Sequence, residues 1–144
     1  MSVLGSPPRR PRLIVADDDV ALQSLLSSWL ESEFRVVGLA GDGEEAVALA
    51  KRTQPDVALI DVEMPKGGGP HAVRGIVEVA ARTAIVILSI DESDTVVRDL
   101  IRAGAVAYCR KGIDPHDLAE LLGDAIHART QEREGSRRAL SPTA

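Results

Sequence analysis

Hydrophobic positions along this chain follow two alternating rhythms. Residues 13–16 (LIVA), 57–60 (VALI), 85–88 (IVIL) and 106–109 (VAYC) are apolar at nearly every position, too short for helices and rich in β-branched side chains. Each reads as a strand buried on both faces, and residues 35–39 (RVVGL) supply a fifth. Between these runs apolar residues recur at i, i+3, i+4 and i+7: Leu22, Leu25, Leu26 and Trp29, then Val73, Ile76, Val77 and Ala80, then Leu118, Leu121, Leu122 and Ala125. That spacing predicts the first, third and fifth helices and directs those side chains inward.

Two further helices rest on boundary signals. Asp42 reads as an N-cap with Glu45 three residues on, Ala46, Val47, Leu49 and Ala50 face inward, and Pro55 marks the end. A fourth helix near residues 93–103 has Val96, Val97, Leu100 and Ile101 as its only apolar support and stops at Gly104, so it is expected to be the least firmly held. Asp114-Pro115 starts the fifth, as N-cap and N1 proline. Fully apolar strands alternating with helices imply a parallel sheet covered on both faces, a doubly wound α/β domain over residues 12–130. Residues 1–11 hold three prolines and no periodicity, and residues 131–144 (QEREGSRRALSPTA) are polar without an apolar face. Both ends are expected to be disordered, the second as a tail or the start of a linker.

Composition narrows the function classes. The chain has 144 residues, enough for one domain, and is 44% hydrophobic and 27% charged, as soluble proteins are. No apolar run approaches the ~20 residues that span a bilayer and no secretory h-region is present, so no membrane contact and a cytoplasmic location are expected. A net charge of -5, with one Phe, one Tyr and one Trp, argues against nucleic-acid binding by this segment. The single cysteine, Cys109, reads as a buried, inert thiol. His71, His116 and His127 have no ligand partners and read as surface residues.

The candidate chemistry lies just after the strands, where open parallel sheets bind ligands. Asp17, Asp18 and Asp19 follow the first strand, Asp61 the third, Ser89 the fourth and Lys111 the fifth. Crowded carboxylates raise each other's pKa unless a cation joins them, and hard oxygen donors without His or thiolate favour Mg²⁺. A carboxylate beside Mg²⁺ and a lysine suits nucleophilic attack on phosphorus, with Asp61 as nucleophile and Asp17 and Asp18 as metal ligands. Asp19 reads as the N-cap of the first helix. No G-x-x-x-x-G-K-[ST] phosphate loop is present, so residues 67–69 (GGG) are not a phosphate cradle.

Residues 13–18 (LIVADD), 55–65 (PDVALIDVEMP), 86–89 (VILS) and 103–111 (AGAVAYCRK) resemble, in order and spacing, the receiver domains of bacterial two-component response regulators, over about residues 12–128. The resemblance implies a flavodoxin-like (βα)5 fold with strand order 2-1-3-4-5, and a phosphorylation-dependent signalling switch. It implies that Asp61 accepts a phosphoryl group from a sensor histidine kinase, and that Mg²⁺ is held by Asp17, Asp18, Asp61 and the backbone carbonyl of Glu63. Ser89 and Tyr108 become the switch pair, and Lys111 a contact to the phosphoryl oxygens. The helix 4-strand 5-helix 5 face becomes the surface read by an output domain, a partner protein or a second copy in a homodimer. Catalysis would be limited to self-phosphotransfer and autodephosphorylation.

Some positions depart from the family's pattern. Ile90 stands where a small residue is usual and is expected to narrow access and slow phosphotransfer or hydrolysis. Glu63 and Asp91 occupy positions that tune hydrolytic water. Lys111 is followed by Gly112 instead of proline, and residues 67–69 are expected to form a flexible loop. The competing readings are a pseudo-receiver that binds proteins without being phosphorylated, a flavin or nucleotide carrier, which would need a Ser/Thr-rich phosphate loop and aromatic partners, and a multiple-turnover hydrolase, for which the domain lacks a cap.

Overall fold

The computed structural model describes residues 9–66, 68–90 and 94–140. Strands and helices alternate along the chain: β1 (Arg12–Ala16), α1 (Val20–Leu30), β2 (Arg35–Ala40), α2 (Gly43–Thr53), β3 (Val57–Asp61), α3 (Gly68–Val79), β4 (Ala84–Ser89), α4 (Asp94–Ala103), β5 (Ala107–Arg110) and α5 (Pro115–Leu140). All strand pairings are parallel, in the order β2-β1-β3-β4-β5. The predicted doubly wound sheet and its 2-1-3-4-5 order are therefore what the chain adopts.

Alternation within each strand divides the core into two layers. Ile14, Ala16, Ala58, Ile60, Ile85 and Ile87 pack against α2, α3 and α4 through Ala46, Leu49, Ala72, Val73, Ile76 and Leu100. Leu13, Val15, Val57, Leu59, Val86, Leu88 and Cys109 pack the other way, against Leu26, Leu30, Leu118, Leu122 and Ala125 of α1 and α5. Side chains point to opposite faces with period two, so a strand covered on both sides must be apolar throughout.

Helix starts follow the expected chemistry. Asp19 Oδ1 accepts from the Ala21 and Leu22 N–H groups at 3.0 and 3.2 Å. Asp42 Oδ1 accepts from Glu45 N at 2.8 Å, while Glu45 Oε2 reaches back to Gly41 N at 2.8 Å. Asp114 Oδ1 caps α5 through His116 N at 2.8 Å.

Four details differ from the pattern-based reading. On α1 the inward stripe is Gln23, Leu26 and Leu30, while Leu25 and Trp29 are 43% and 41% exposed. A single sheet face covers less than half of a helix that shares its layer with α5, so i+3 and i+7 from Leu22 fall outside the contact. On α4 Val97 and Leu100 are buried, while Val96 and Ile101 face outward. The glycine run is packed where a flexible loop was expected. Gly68 and Gly69 are buried at the start of α3, and Gly69 N donates to the Val62 carbonyl at 2.9 Å. A Cβ on Gly69 would come within 2.8 Å of Val62 Cα, so glycine permits this backbone approach. Gly67 itself lies outside the described residues.

The fourth difference concerns the ends. α5 continues through residues 131–140, for which disorder was expected. That stretch contains no proline and is rich in helix-forming Gln, Glu, Arg, Ala and Leu, and docking of Leu118 and Leu122 has already nucleated the helix it prolongs. At the other end, Pro11 O accepts from Arg35 N at 2.8 Å and the Arg10 guanidinium donates to the Glu31 carbonyl. Residues 9–11 are thereby tied to the body, and residues 1–8 and 141–144 lie outside the described residues.

Candidate functional site

From β1 the chain crosses to the edge strand β2 and returns to β3 on the far side of β1. The carboxyl ends of β1 and β3 flank this reversal, and the acidic residues of the sequence fall there. Asp61 ends β3 and is 1% exposed, and Asp17 follows β1 and is fully buried. Asp18 and Glu63 are exposed beside them. Asp17, Asp18 and Asp61 each place a carboxylate oxygen within 4.8 Å of the others.

The two buried carboxylates are held in the same way. Asp17 Oδ1 accepts from Asp19 N at 2.9 Å, and Asp61 Oδ1 from Glu63 N at 3.1 Å. Their Oδ2 atoms are buried without a well-aligned hydrogen-bond donor. Lys111 Nζ approaches both, at 3.1 Å from Asp61 Oδ2 and 3.5 Å from Asp17 Oδ2. Burial raises the Asp61 carboxyl above its ordinary value, and the Glu63 N–H and Lys111 oppose this without overcoming it. At Lys111 burial favours the neutral amine, yet the hydrogen bond and charge of Asp61, with Asp17 behind it, raise the ammonium's pKa. The lysine faces two carboxylates and is the more exposed partner, which is why its pairing outweighs its burial.

One ammonium leaves the three carboxylates under-neutralised. Orphaned buried oxygens and an all-oxygen donor set fit a hard divalent cation, which would draw on Asp17, Asp18 and Asp61. Among the described residues no other group of three acidic, His or Cys side chains converges in this way.

The remaining candidates lie on the neighbouring strand ends. Ser89 closes β4 and is 6% exposed, and its carbonyl accepts from Lys111 N at 2.9 Å, so β4 positions the lysine. Tyr108 on β5 is 47% exposed and faces outward. Ile90 is 61% exposed, with most of its surface in solvent, and Asp91 lies outside the described residues. Gly112 has φ +95°, a conformation closed to proline, so the turn after Lys111 takes a path that a Lys-Pro sequence could not follow. Cys109 is buried, which pushes its thiol up to about 11. The three histidines are exposed.

One residue of this region was missed. Gln23 is buried behind the crevice, and its amide donates to the Asp17 carbonyl and, at 2.9 Å, to the Ala40 carbonyl. The available signal was a lone amide in the Leu26/Leu30 stripe of α1.

A doubly wound (βα)5 domain with an acidic triad and a lysine at its switch point defines a class of small parallel α/β proteins with an acidic crevice at the carboxyl edge of the sheet. The profile of the response regulator receiver domain matches residues 13–123, and the chain belongs to that family. It is 41% identical over 122 residues to the uncharacterized transcriptional regulatory protein YxjL of Bacillus subtilis, covering 80% of this chain and 56% of that protein. The crystal structure of the response regulator domain of Thermotoga maritima CheB superposes with a TM-score of 0.75 at 30% identity, covering 83% of this chain and 98% of that one. A chain of the CheX-CheY-BeF3-Mg+2 complex from Borrelia burgdorferi gives 0.73 at 25% identity, covering 78% and 86%. The chain spans about half the length of the curated relatives it matches. Among the described residues, no helix is long and apolar enough to cross a membrane.

Proposed function

We propose that this chain is the phosphorylation-dependent switch of a cytoplasmic two-component system, accepting a phosphoryl group on Asp61 from the phosphohistidine of a sensor histidine kinase. The observation that carries the reading is Asp61 Oδ2: buried, with no well-aligned backbone donor, and faced at 3.1 Å by the ammonium of Lys111. Its sister oxygen is pinned by the Glu63 N–H, so the free oxygen is the one aimed at a reactant. Asp17, Asp18, Asp61 and the Glu63 backbone carbonyl would hold Mg²⁺, which when bound neutralises charge on the transferring phosphoryl oxygens. The Borrelia burgdorferi CheY complex with BeF3 and Mg+2 supports this assignment by similarity.

In the transfer, a bond forms from Asp61 Oδ2 to phosphorus as the phosphorus–nitrogen bond of the donor breaks. The imidazole leaves with the bonding pair and takes up a proton from solvent. Lys111 turns from its carboxylate pairing to the phosphoryl oxygens, and the Ser89 hydroxyl donates to one of them. The added charge favours the conformer in which Ser89 and Lys111 bond to it, and Tyr108 moves inward from its exposed position. The α4-β5-α5 face is thereby remodelled for an output domain, a partner protein or a second copy. Water then attacks phosphorus, the Asp61 oxygen–phosphorus bond breaks, and inorganic phosphate leaves the free carboxylate, so the chemistry is confined to self-phosphotransfer and autodephosphorylation, with no part for nucleic acid or membrane.

The test is intact-protein mass after incubation with Mg²⁺ and acetyl phosphate, beside Asp61→Asn and a chelated sample. One phosphate adduct, cleaved by hydroxylamine and absent in both controls, is the expected result. A folded protein that takes neither phosphate nor beryllofluoride would overturn the reading in favour of a pseudo-receiver.

A further inference from the structure

Gln23 lies on the inward face of α1, one turn before Leu26, and is only 8% exposed. Burying a primary amide is unfavourable unless its donors are used. Both of its hydrogen bonds run to backbone carbonyls at the end of the β1–β2 ladder, those of Asp17 and Ala40. Asp17 N also donates to Ala40 O, at 2.9 Å. The register of the two strands ends at Ala16↔Ala40, so β2 offers no donor to the Asp17 carbonyl. The side chain of Gln23 takes the place of that missing strand residue.

Asp17 is therefore held through its backbone and its side chain, and the peptide joining it to Asp18 is held at its carbonyl by Gln23. Asp17 N–H is fixed by β2, its carbonyl by Gln23, and its Oδ1 by Asp19 N–H, which leaves Oδ2 as the group free to face a cation. We infer that Gln23 is a positioning residue for the cation site: its amide fixes the Asp17–Asp18 peptide and so sets the spacing of the two carboxylates that follow β1. The inference rests on the metal-binding part of the function proposed above.

The residue type fits the task. Leucine would leave the Asp17 carbonyl without its donor and the Ala40 carbonyl with the Asp17 N–H alone, and glutamate would set a carboxylate against both. Glutamine supplies two donors without charge. Partners that orient metal ligands from the next layer typically change metal affinity about 10- to 100-fold when removed.

The experiment is calorimetric titration of Mg²⁺ into the unphosphorylated full chain, comparing wild type, Gln23→Met and Leu26→Val. Methionine keeps the stem and the burial but has no donor, and Leu26→Val perturbs the same helix face without touching the ladder. Gln23→Met is expected to bind Mg²⁺ about 10-fold more weakly or worse. Leu26→Val is expected to stay within about twofold of wild type, although both variants lower the urea midpoint. Amide exchange at Asp18 and Asp19 in metal-free protein should quicken only in Gln23→Met. Gln23→Leu repeats the comparison if the methionine variant does not fold. Equal affinity in the Gln23 variants, or equal weakening in Leu26→Val, would overturn the inference while leaving the metal reading intact. Absence of Mg²⁺ binding by wild type would overturn both.

Discussion

At the scale of single residues, the crevice is built at the expense of the metal-free fold. Burial holds the Asp61 carboxyl above its ordinary value. A carboxyl raised in the folded state contributes stability below its unfolded pKa, and that contribution is lost as pH rises through the folded pKa. At pH 7.5 in chelator, Asp61→Asn should therefore be more stable than wild type, on the order of 1 kcal/mol for removing a buried under-paired charge. The advantage should shrink as pH falls through the raised folded pKa of Asp61 and the wild-type carboxylate takes up its proton, and urea midpoints across that acidic range measure it. An advantage that grew toward acid would show that Lys111 had already satisfied the carboxylate. The site residues were legible because chemistry sits at strand ends: Asp17, Asp18, Asp61, Ser89 and Lys111 each follow or close an apolar run. Gln23 was not legible, because its role depends on where the β1–β2 ladder stops, and register is a property of two strands together.

Among the elements, the glycines at the start of α3 separate close packing from conformational freedom. A Cβ on Gly69 meets the Val62 backbone, which cannot swing aside as a side-chain tip does. Gly69→Ala should destabilise the domain by roughly 1–3 kcal/mol, the range for overpacking. Because Val62 follows Asp61, it should also lower phosphate uptake from acetyl phosphate. Gly123, exposed within α5 with nothing near its Cβ position, provides the contrast, and Gly123→Ala should stabilise by roughly 0.5–1 kcal/mol. Thermal unfolding of both variants checks the pair, and equal effects would refute the packing argument. The existence and order of all ten elements followed from periodicity and capping. The inward faces were less certain: Leu25 and Trp29 satisfy a helical period yet face out, because the width of the buried stripe on α1 depends on what shares its layer.

For the whole molecule, two layers of aliphatic side chains hold a sheet whose carboxyl edge carries the chemistry, and α5 runs on past that body. At 26 residues it is about 39 Å long. Gln131, Glu132 and Gly135 in its extension are exposed, and the Arg129–Glu132 ion pair at 3.4 Å is a surface contact. Truncation after Thr130 should therefore change stability by no more than about 0.5 kcal/mol, the usual range for surface changes. A large loss in the urea midpoint would mean that the extension packs on the body. By itself the sequence determined the strand and helix order, the doubly wound class and the residues gathered at the strand ends, because periodicity, capping and composition act locally. Only the tertiary structure decided which oxygen of each aspartate stays free, that Gly69 is packed against Val62, and that Gln23 completes a ladder. Those outcomes depend on distances between segments far apart in the chain, which no local pattern encodes.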